Sequence, residues 1–282
     1  MIDCNYKYKN ITFNEINELY SIDSVEGLDS ASMSDSREAK AGRNGQFDYG
    51  QYLRERLVTF KGSILCVTSL GRKQARQALL DNFLNDGIYN WLTWQEDGEV
   101  GKQLYCKVFD RKVEDTSAKN YGPYRRPFIV NLLAVDPLIY SQTEITKYIY
   151  IPTSVGGRSY PRTYPLSYGT ARVGGTASCN NAGNFESLPL VRMYGPLVSP
   201  EIKNVTDSNK YIKVNMTVNT GDYLEIDFDK HTVMLNGTAS RYLYLDSNDW
   251  FSLLPGNNSL TFKDSGGNVL GYCAVIYKSA WI

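Results

Sequence analysis

A single histidine, His231, stands among the 282 residues, and this narrows the chemistry open to the chain. A zinc site built on several histidines is impossible within one copy. A serine activated by an imidazole would have to use this one residue. It lies in Asp229-Lys230-His231-Thr232, a turn sequence that puts it on a surface. Glu225, Asp227 and Asp229 could be taken for paired carboxylates or oxygen ligands of a cation. Their alternation with Leu224, Ile226 and Phe228 explains them instead as the polar face of a half-buried strand. The five cysteines, Cys4, Cys66, Cys106, Cys179 and Cys273, are scattered singly with no Cys-x-x-Cys pair. That pattern is neither a disulfide framework nor a metal cluster. It reads as reduced thiols filling small apolar positions in strands, made in a reducing compartment.

Lys263-Asp264-Ser265-Gly266-Gly267 has an outward likeness to the nucleophile segment of chymotrypsin-like proteases. The glycine before the aspartate is missing, and the surroundings of His231 are unlike that family's histidine segment. A hairpin turn is the better reading. There is no G-x-x-x-x-G-K-[ST] phosphate loop and no G-x-S-x-G elbow. The expectation is therefore no enzyme, with no catalytic, cofactor-binding or metal-binding residue and no cofactor. Lys+Arg and Asp+Glu are 30 each, with 18 basic and 19 acidic residues before Gln142 and 12 and 11 from there on. Neither half has the basic surplus that gripping nucleic acid requires. With 42% apolar and 21% charged residues the chain can pack cores and is unlike a disordered one. Tyrosine at 22 copies suits half-buried sheet faces and interfaces. Met1-Ile2-Asp3-Cys4-Asn5 lacks a signal-peptide pattern, and no apolar run approaches the length of a membrane span. The sequons at Asn10, Asn204, Asn215, Asn236 and Asn257 carry little weight without a secretion signal.

The elements around these residues are mostly β, and the length favours two domains. Residues 57–68 read as a strand, with central Gly62 marking a bulge or the close approach of another backbone. A helix follows over about 70–86, with Ala75, Ala78, Leu79 and Phe83 on one face and Arg72, Lys73, Arg76 and Gln77 facing away. Ser69 is its expected N-cap and Gly87 its C′ residue. Leu104–Asp110 and Phe128–Val135 are further strands. The polar stretch Asp29–Gly50 is too long for an ordinary loop and is either mobile or an arm ordered by a neighbour. After Tyr140 the composition changes, and 152–183, rich in Gly, Pro, Tyr and Ser, looks like an extended connector.

In the C-terminal half, Ile212, Val214, Met216 and Val218 alternate with Tyr211, Lys213, Asn215 and Thr217, the period of a strand over Lys210–Val218. Gly221-Asp222 turns into a strand Tyr223–Phe228, and Asp229-Lys230 turns into Thr232–Leu235. Asn236-Gly237 is the preferred pair for a two-residue type I′ hairpin. Arg241–Leu245 is expected to continue as a strand, Pro255-Gly256 to turn, Leu260–Phe262 to lead into Ser265-Gly266-Gly267, and Tyr272–Tyr277 to be the last strand. Short strands with turns every eight to twelve residues indicate an antiparallel sandwich.

An ordered series of segments then carries a resemblance. It runs Tyr160-Pro161-Arg162-Thr163-Tyr164-Pro165, Asn181-Ala182-Gly183-Asn184 with Pro189 after it, Tyr194-Gly195-Pro196, and Gly221-Asp222-Tyr223-Leu224-Glu225-Ile226-Asp227. It continues through Val233–Gly237, Trp250–Phe262 and Ala274–Trp281. In this order the series resembles the distal tail proteins of siphophages, the siphovirus-type tail component family. Gly27-Leu28, the polar stretch through Gly45, Arg56–Ile64, the helix, and Asp136-Pro137-Leu138-Ile139-Tyr140 match more loosely.

The resemblance implies a mainly β chain with a ring-forming, tube-like N-terminal β-sandwich bearing one helix (1–141). An extended connector and the start of the outer domain (142–183) would follow, then a C-terminal galectin-like antiparallel β-sandwich (184–282). It implies a homohexameric ring that joins the tail tube protein to the tail-tip hub or tail-associated protein and the tape measure protein. Receptor-binding proteins are possible further partners. DNA would pass through the channel without specific binding, the protein being made in the host cytoplasm and residing at the tail tip of the virion. No inserted carbohydrate-binding module is expected. The Asp29–Gly50 stretch is the candidate inter-subunit arm, its intermingled charges fixing register more than adding affinity. The wall of a DNA conduit should be acidic or uncharged, with arginines directed toward neighbouring subunits. One alternative is a carbohydrate-binding adhesion module, for which Tyr211, Tyr223, Tyr242, Tyr244 and Trp250 are the aromatic candidates. A tail-associated hydrolase is a second alternative, and it lacks a catalytic constellation.

Overall fold

The computed structural model describes residues 4–14, 19–96, 98–114, 125–151, 154–155, 170–171, 175–247, 249–266 and 270–282. They fall into two compact units, Met1–Gln142 with Ile282, and Thr143–Trp281. The chain is mainly β, with one α-helix among the described residues.

The first unit holds β1 (Cys4–Tyr8), β2 (Ile11–Phe13), β3 (Tyr20–Glu26), β4 (Met33–Ala39), β5 (Gln46–Leu53), β6 (Arg56–Leu65), α1 (Ser69–Asn82), β7 (Asn90–Glu96), β8 (Lys102–Val113), β9 (Arg125–Ala134) and β10 (Ile139–Ser141). Seven strands form one antiparallel sheet in the order β2-β1-β7-β8-β9-β6-β3. The sheet rolls until its ends meet. The Asn14 amide N–H donates to the Tyr20 carbonyl (3.1 Å), and the Asn14 side chain accepts from the Ile22 amide (2.8 Å). The roll is filled with aromatics because alternate positions of its strands point inward. Phe13 stacks on Phe60 and lies about 5.9 Å from Phe83 and Phe128, while Tyr8 stacks on Phe83.

Gly62 is the tight spot of this roll. A Cβ there would lie 2.4 Å from the Ser21 carbonyl oxygen and 2.6 Å from the Phe128 ring. The register shift of this pairing falls between Ile22 and Ser24, so the neighbouring strand carries the bulge. The strand itself ends at Leu65, earlier than expected, because Thr68 leaves it to cap the helix.

Thr68, not Ser69, is the N-cap of α1, its hydroxyl accepting from the Gly71 amide. The helix ends at Asn82, short of the expected residue 86, and Phe83 is its C-cap. Phe83 is drawn into the aromatic core, while Gly87, with φ +73°, serves the turn beyond. The buried stripe is Ala75, Leu79 and Phe83. Ala78 is exposed, against expectation, since a stripe at i, i+4, i+8 is narrower than the face read from sequence.

The second unit holds β11 (Ile145–Tyr150), β12 (Ser154–Val155), β13 (Thr170–Ala171), β14 (Thr176–Asn181), β15 (Leu190–Tyr194), β16 (Leu197–Val198), β17 (Glu201–Asn204), β18 (Tyr211–Lys213), β19 (Thr217–Val218), β20 (Tyr223–Asp227), β21 (Thr232–Leu235), β22 (Ala239–Ser240), β23 (Gly256–Lys263), β24 (Tyr272–Tyr277) and β25 (Ala280–Trp281). A six-stranded sheet β11-β24-β15-β20-β21-β22 faces a four-stranded sheet β14-β23-β17-β18. Between them pack Val191, Met193, Ile202, Leu224, Ile226, Phe228, Phe251 and Phe262. The expected connector thus contributes β11 and β14 to these sheets. Its Tyr160–Pro165 segment lies outside the described residues.

Two expected strands differ here. Lys210–Val218 is broken: Met216 N–H bonds the Val214 carbonyl (2.9 Å), a three-residue turn after which β19 leaves the sheet of β18 and pairs with β16. Arg241–Leu245 is a 3₁₀ turn over Tyr242–Tyr244, because the chain must curl back for Leu245 to bridge Val214. At Asn236-Gly237 the φ values are +52° and +69°, the pair of positive angles that a type I′ turn demands.

Candidate functional site

The polar residues singled out for chemistry are occupied with structure. Glu225 accepts from Arg192 Nε at 2.8 Å, raising the guanidinium's proton affinity. Asp227 accepts from the Asp229 and Lys230 amides and from Lys230 Nζ. Burial works to raise its pKa, but these donors together hold it below the usual carboxylate value. It is a turn cap. His231 takes φ +52° and stacks on Trp250, ring centroids 4.6 Å apart. Asp264 accepts from the Val198 amide, and Ser265 and Gly266 lie in a turn, while Gly267 is outside the described residues. Among the described residues no group of three or more His, Cys, Asp or Glu could hold a metal.

Three asparagines of the second unit are fully buried, two of them, Asn181 and Asn258, in segments that carried the family resemblance. Asn181 donates to the Phe185 and Leu253 carbonyls and accepts from the Gly183 and Ala280 amides. Asn204 donates to the Ser252 carbonyl and accepts from the Thr206 and Asp207 amides. Asn258 ties the Leu254–Gly256 turn to itself. Each amide satisfies backbone groups that would otherwise be buried unpaired, which costs about 1–3 kcal/mol apiece. Gly183 and Gly195 are fixed by crowding: a Cβ would meet the Ala280 oxygen at 1.7 Å and the Asn219 oxygen at 2.1 Å.

What remains on the first unit is surface built for contact. The polar stretch expected as a mobile or neighbour-ordered arm is a β-hairpin, β4 paired with β5. Almost every residue of it is exposed, including Met33, Phe47, Tyr49 and Tyr52. At its base, Ser32 Oγ donates to the Glu55 carbonyl and Arg54 N–H to the Ser32 carbonyl. Arg56, fully buried, donates to the Gly27, Leu28 and Pro137 carbonyls and so bolts the chain entering the hairpin to the turn before β10. Burial lowers its proton affinity from the ordinary guanidinium value, yet an arginine stays charged. Beside the base is a groove of about 470 Å³ lined by Ser30, Ser32, Glu55, Leu57, Phe109 and Leu133. Leu57 and Phe109 are exposed there.

On the second unit the outer face of the six-stranded sheet carries a row of tyrosines that the sequence reading missed. Cross-strand register puts Tyr150 opposite Tyr272, Tyr272 opposite Tyr194, and Tyr194 opposite Tyr223, one on each of β11, β24, β15 and β20. Ring centroids are 5.8, 4.7 and 5.6 Å apart in that order, and Tyr148 lies 6.1 Å from Tyr272. The next row of the same face holds Arg192, whose guanidinium lies 5.9 Å from the Tyr223 ring centroid, and Glu225. Burial and the neighbouring phenols raise the Tyr272 pKa, so its hydroxyl stays a donor. Of the aromatics named as sugar-binding candidates, only Tyr223 belongs to this row. Trp250 is half-buried against Phe228 and His231, Tyr211 is half-buried on β18, and Tyr242 and Tyr244 sit on the 3₁₀ turn. Tyr148-Ile149-Tyr150 was the available signal, a Tyr-x-Tyr alternation; the register that aligns it with Tyr272 and Tyr194 is not written in local sequence.

Comparison with known proteins adds three findings. Residues 182–281 match the family described as Siphovirus-type tail component, C-terminal domain. No curated protein matches the sequence. Among solved structures, the Dit protein of phage SPP1 aligns over 99% of both chains with a TM-score of 0.66 at 14% identity. A chain of the phage P2 baseplate, in its activated conformation with Ca, aligns over 97% of both with a TM-score of 0.46 at 11% identity. The two-layered second unit thus contains the stretch that resembles the siphovirus-type tail component C-terminal domain, and from end to end the chain has the fold of the SPP1 Dit protein.

Proposed function

We propose that the chain is a structural distal tail protein, six copies of which close into a ring that joins the end of the tail tube to the tail-tip hub and leaves a central channel for DNA. Its partners would be its own copies, the tail tube protein, the hub or tail-associated protein and the tape measure protein, with receptor-binding proteins as further candidates. It would be made in the bacterial host cytoplasm and reside in the virion at the tail tip. No catalytic role is proposed.

The observation that carries this reading is the β4–β5 hairpin beside an exposed apolar groove. An isolated two-stranded hairpin is marginal in water, and an apolar groove is costly to leave wet. One copy's hairpin laid on the next copy's groove would resolve both. Its acids (Asp35 and Glu38 on β4, Asp48 on β5) are intermingled with bases (Arg37 on β4, Lys40 and Arg43 in the turn), which suits register selection. The zero formal net charge supports DNA passing without being held.

Native mass spectrometry of the purified protein, alone and with tail tube protein, tests the reading. A sixfold species in either sample is expected. A monomer in both, at concentrations where the tube itself assembles, would overturn it.

A further inference from the structure

The tyrosine row on the six-stranded sheet takes no part in the hairpin-to-groove contact proposed for the first unit. We infer that it is a binding site for a neutral saccharide. The inference does not rest on the ring.

Four tyrosines in register on four adjacent strands span about 14 Å at the usual strand spacing, the length of a short oligosaccharide. Tyr194 and Tyr272 lie 4.7 Å apart with their planes 15° from parallel, so they cover each other's faces and stand as a fixed comb, hydroxyls outward. The rings open to stacking are at the end of the row. Tyr148 and Tyr150 are 55% and 61% exposed, and β11, which carries them, ends its sheet. A sugar's C–H face can lie on these rings while its hydroxyls reach the phenols. Arg192 and Glu225, in the adjacent row, carry more donors and acceptors than their mutual bond and the contact of Arg192 with Tyr194 employ.

Charge sets the ligand class. The ionised groups of the face are closed on one another, Arg192 with Glu225 and Asp227 with Lys230, each pair at 2.8 Å. Among the described residues on the outward positions of these strands, no unmatched charge is left for a phosphate-bearing polymer. The exposed large apolar side chains on the outward positions of β11, β24, β15 and β20 are Tyr148 and Tyr150, and an ion pair lies beside them.

The full chain applied to an array of neutral and anionic bacterial-surface saccharides, followed by titration calorimetry with the best ligand, tests this. Three proteins are compared: wild type, the double variant Tyr148→Ala/Tyr150→Ala, and the control Tyr242→Ala on the 3₁₀ turn. Binding of neutral oligosaccharides, weakened at least tenfold in the double variant and unchanged in the control, is expected. Circular dichroism checks that both variants are folded. Silence across the array, binding of anionic polymers alone, or a signal the double variant retains each overturns the inference. So does a double variant that loses a tail-tip protein and no sugar, since the face is then a protein docking surface. A hexamer that binds no saccharide defeats this inference alone; a monomer that binds one defeats the ring alone.

Discussion

Arg56 is the residue on which the first unit's geometry turns. One buried guanidinium holds three carbonyls from two distant segments. Replacing it leaves those oxygens unpaired in a dry site, and lysine cannot reproduce the fork. Arg56→Leu is expected to destabilise the protein by on the order of 3 kcal/mol, and Arg56→Lys by a large part of that. Urea unfolding would check both, and a midpoint unchanged in Arg56→Leu would show that the bolt carries no load. Arg56 stood just before the strand expected over 57–68, with no hint of burial, because a charged residue is expected in water until the carbonyls that receive it are known. The buried asparagines were hidden in the same way. Asn181 and Asn258 stood in segments recognised by resemblance and Asn204 in a sequon, and their role came into view only with the backbone groups around them.

At the scale of elements, local pattern was a good guide where one face of a strand decides its register. The strand Tyr272–Tyr277, the Asn236-Gly237 turn and the alternation through Leu224, Ile226 and Phe228 were legible for that reason. The break at Met216 and the 3₁₀ turn at Tyr242–Tyr244 were not, since both are imposed by partners far along the chain. The hairpin β4–β5 escaped for a third reason: with both faces exposed it has no hydrophobic period to read. Because it touches so little of its own unit, Phe47→Asp with Tyr49→Asp should leave stability within about 0.5 kcal/mol yet abolish the sixfold species. Chemical denaturation and native mass of the same sample would check this. Intact hexamers of the double variant would remove the hairpin from the interface.

Over the whole molecule, the thiols tie stability to alkaline pH in both units. Burial pushes Cys106 up to about 12 and Cys179 up to about 11, and raises Cys273 further still. The unfolded chain releases these protons from about pH 9 while the folded chain keeps them. Stability is therefore fully present below that pH and lost as pH rises toward the folded values, by up to about 1.4 kcal/mol per pH unit for each thiol. Urea midpoints at pH 8, 9 and 10 should fall in that order, and Cys106→Ala should flatten the decline. A midpoint indifferent to the replacement would count against a protonated Cys106. The buried amides of the second unit have a consequence for its motions. Asn181, Asn204 and Asn258 moor loops from the inside, so a loop cannot lift without stranding polar atoms in the interior. Partial opening there then costs nearly as much as parting the two sheets, and loops that look like the pliant edges of the unit would exchange their amide hydrogens as slowly as its strands.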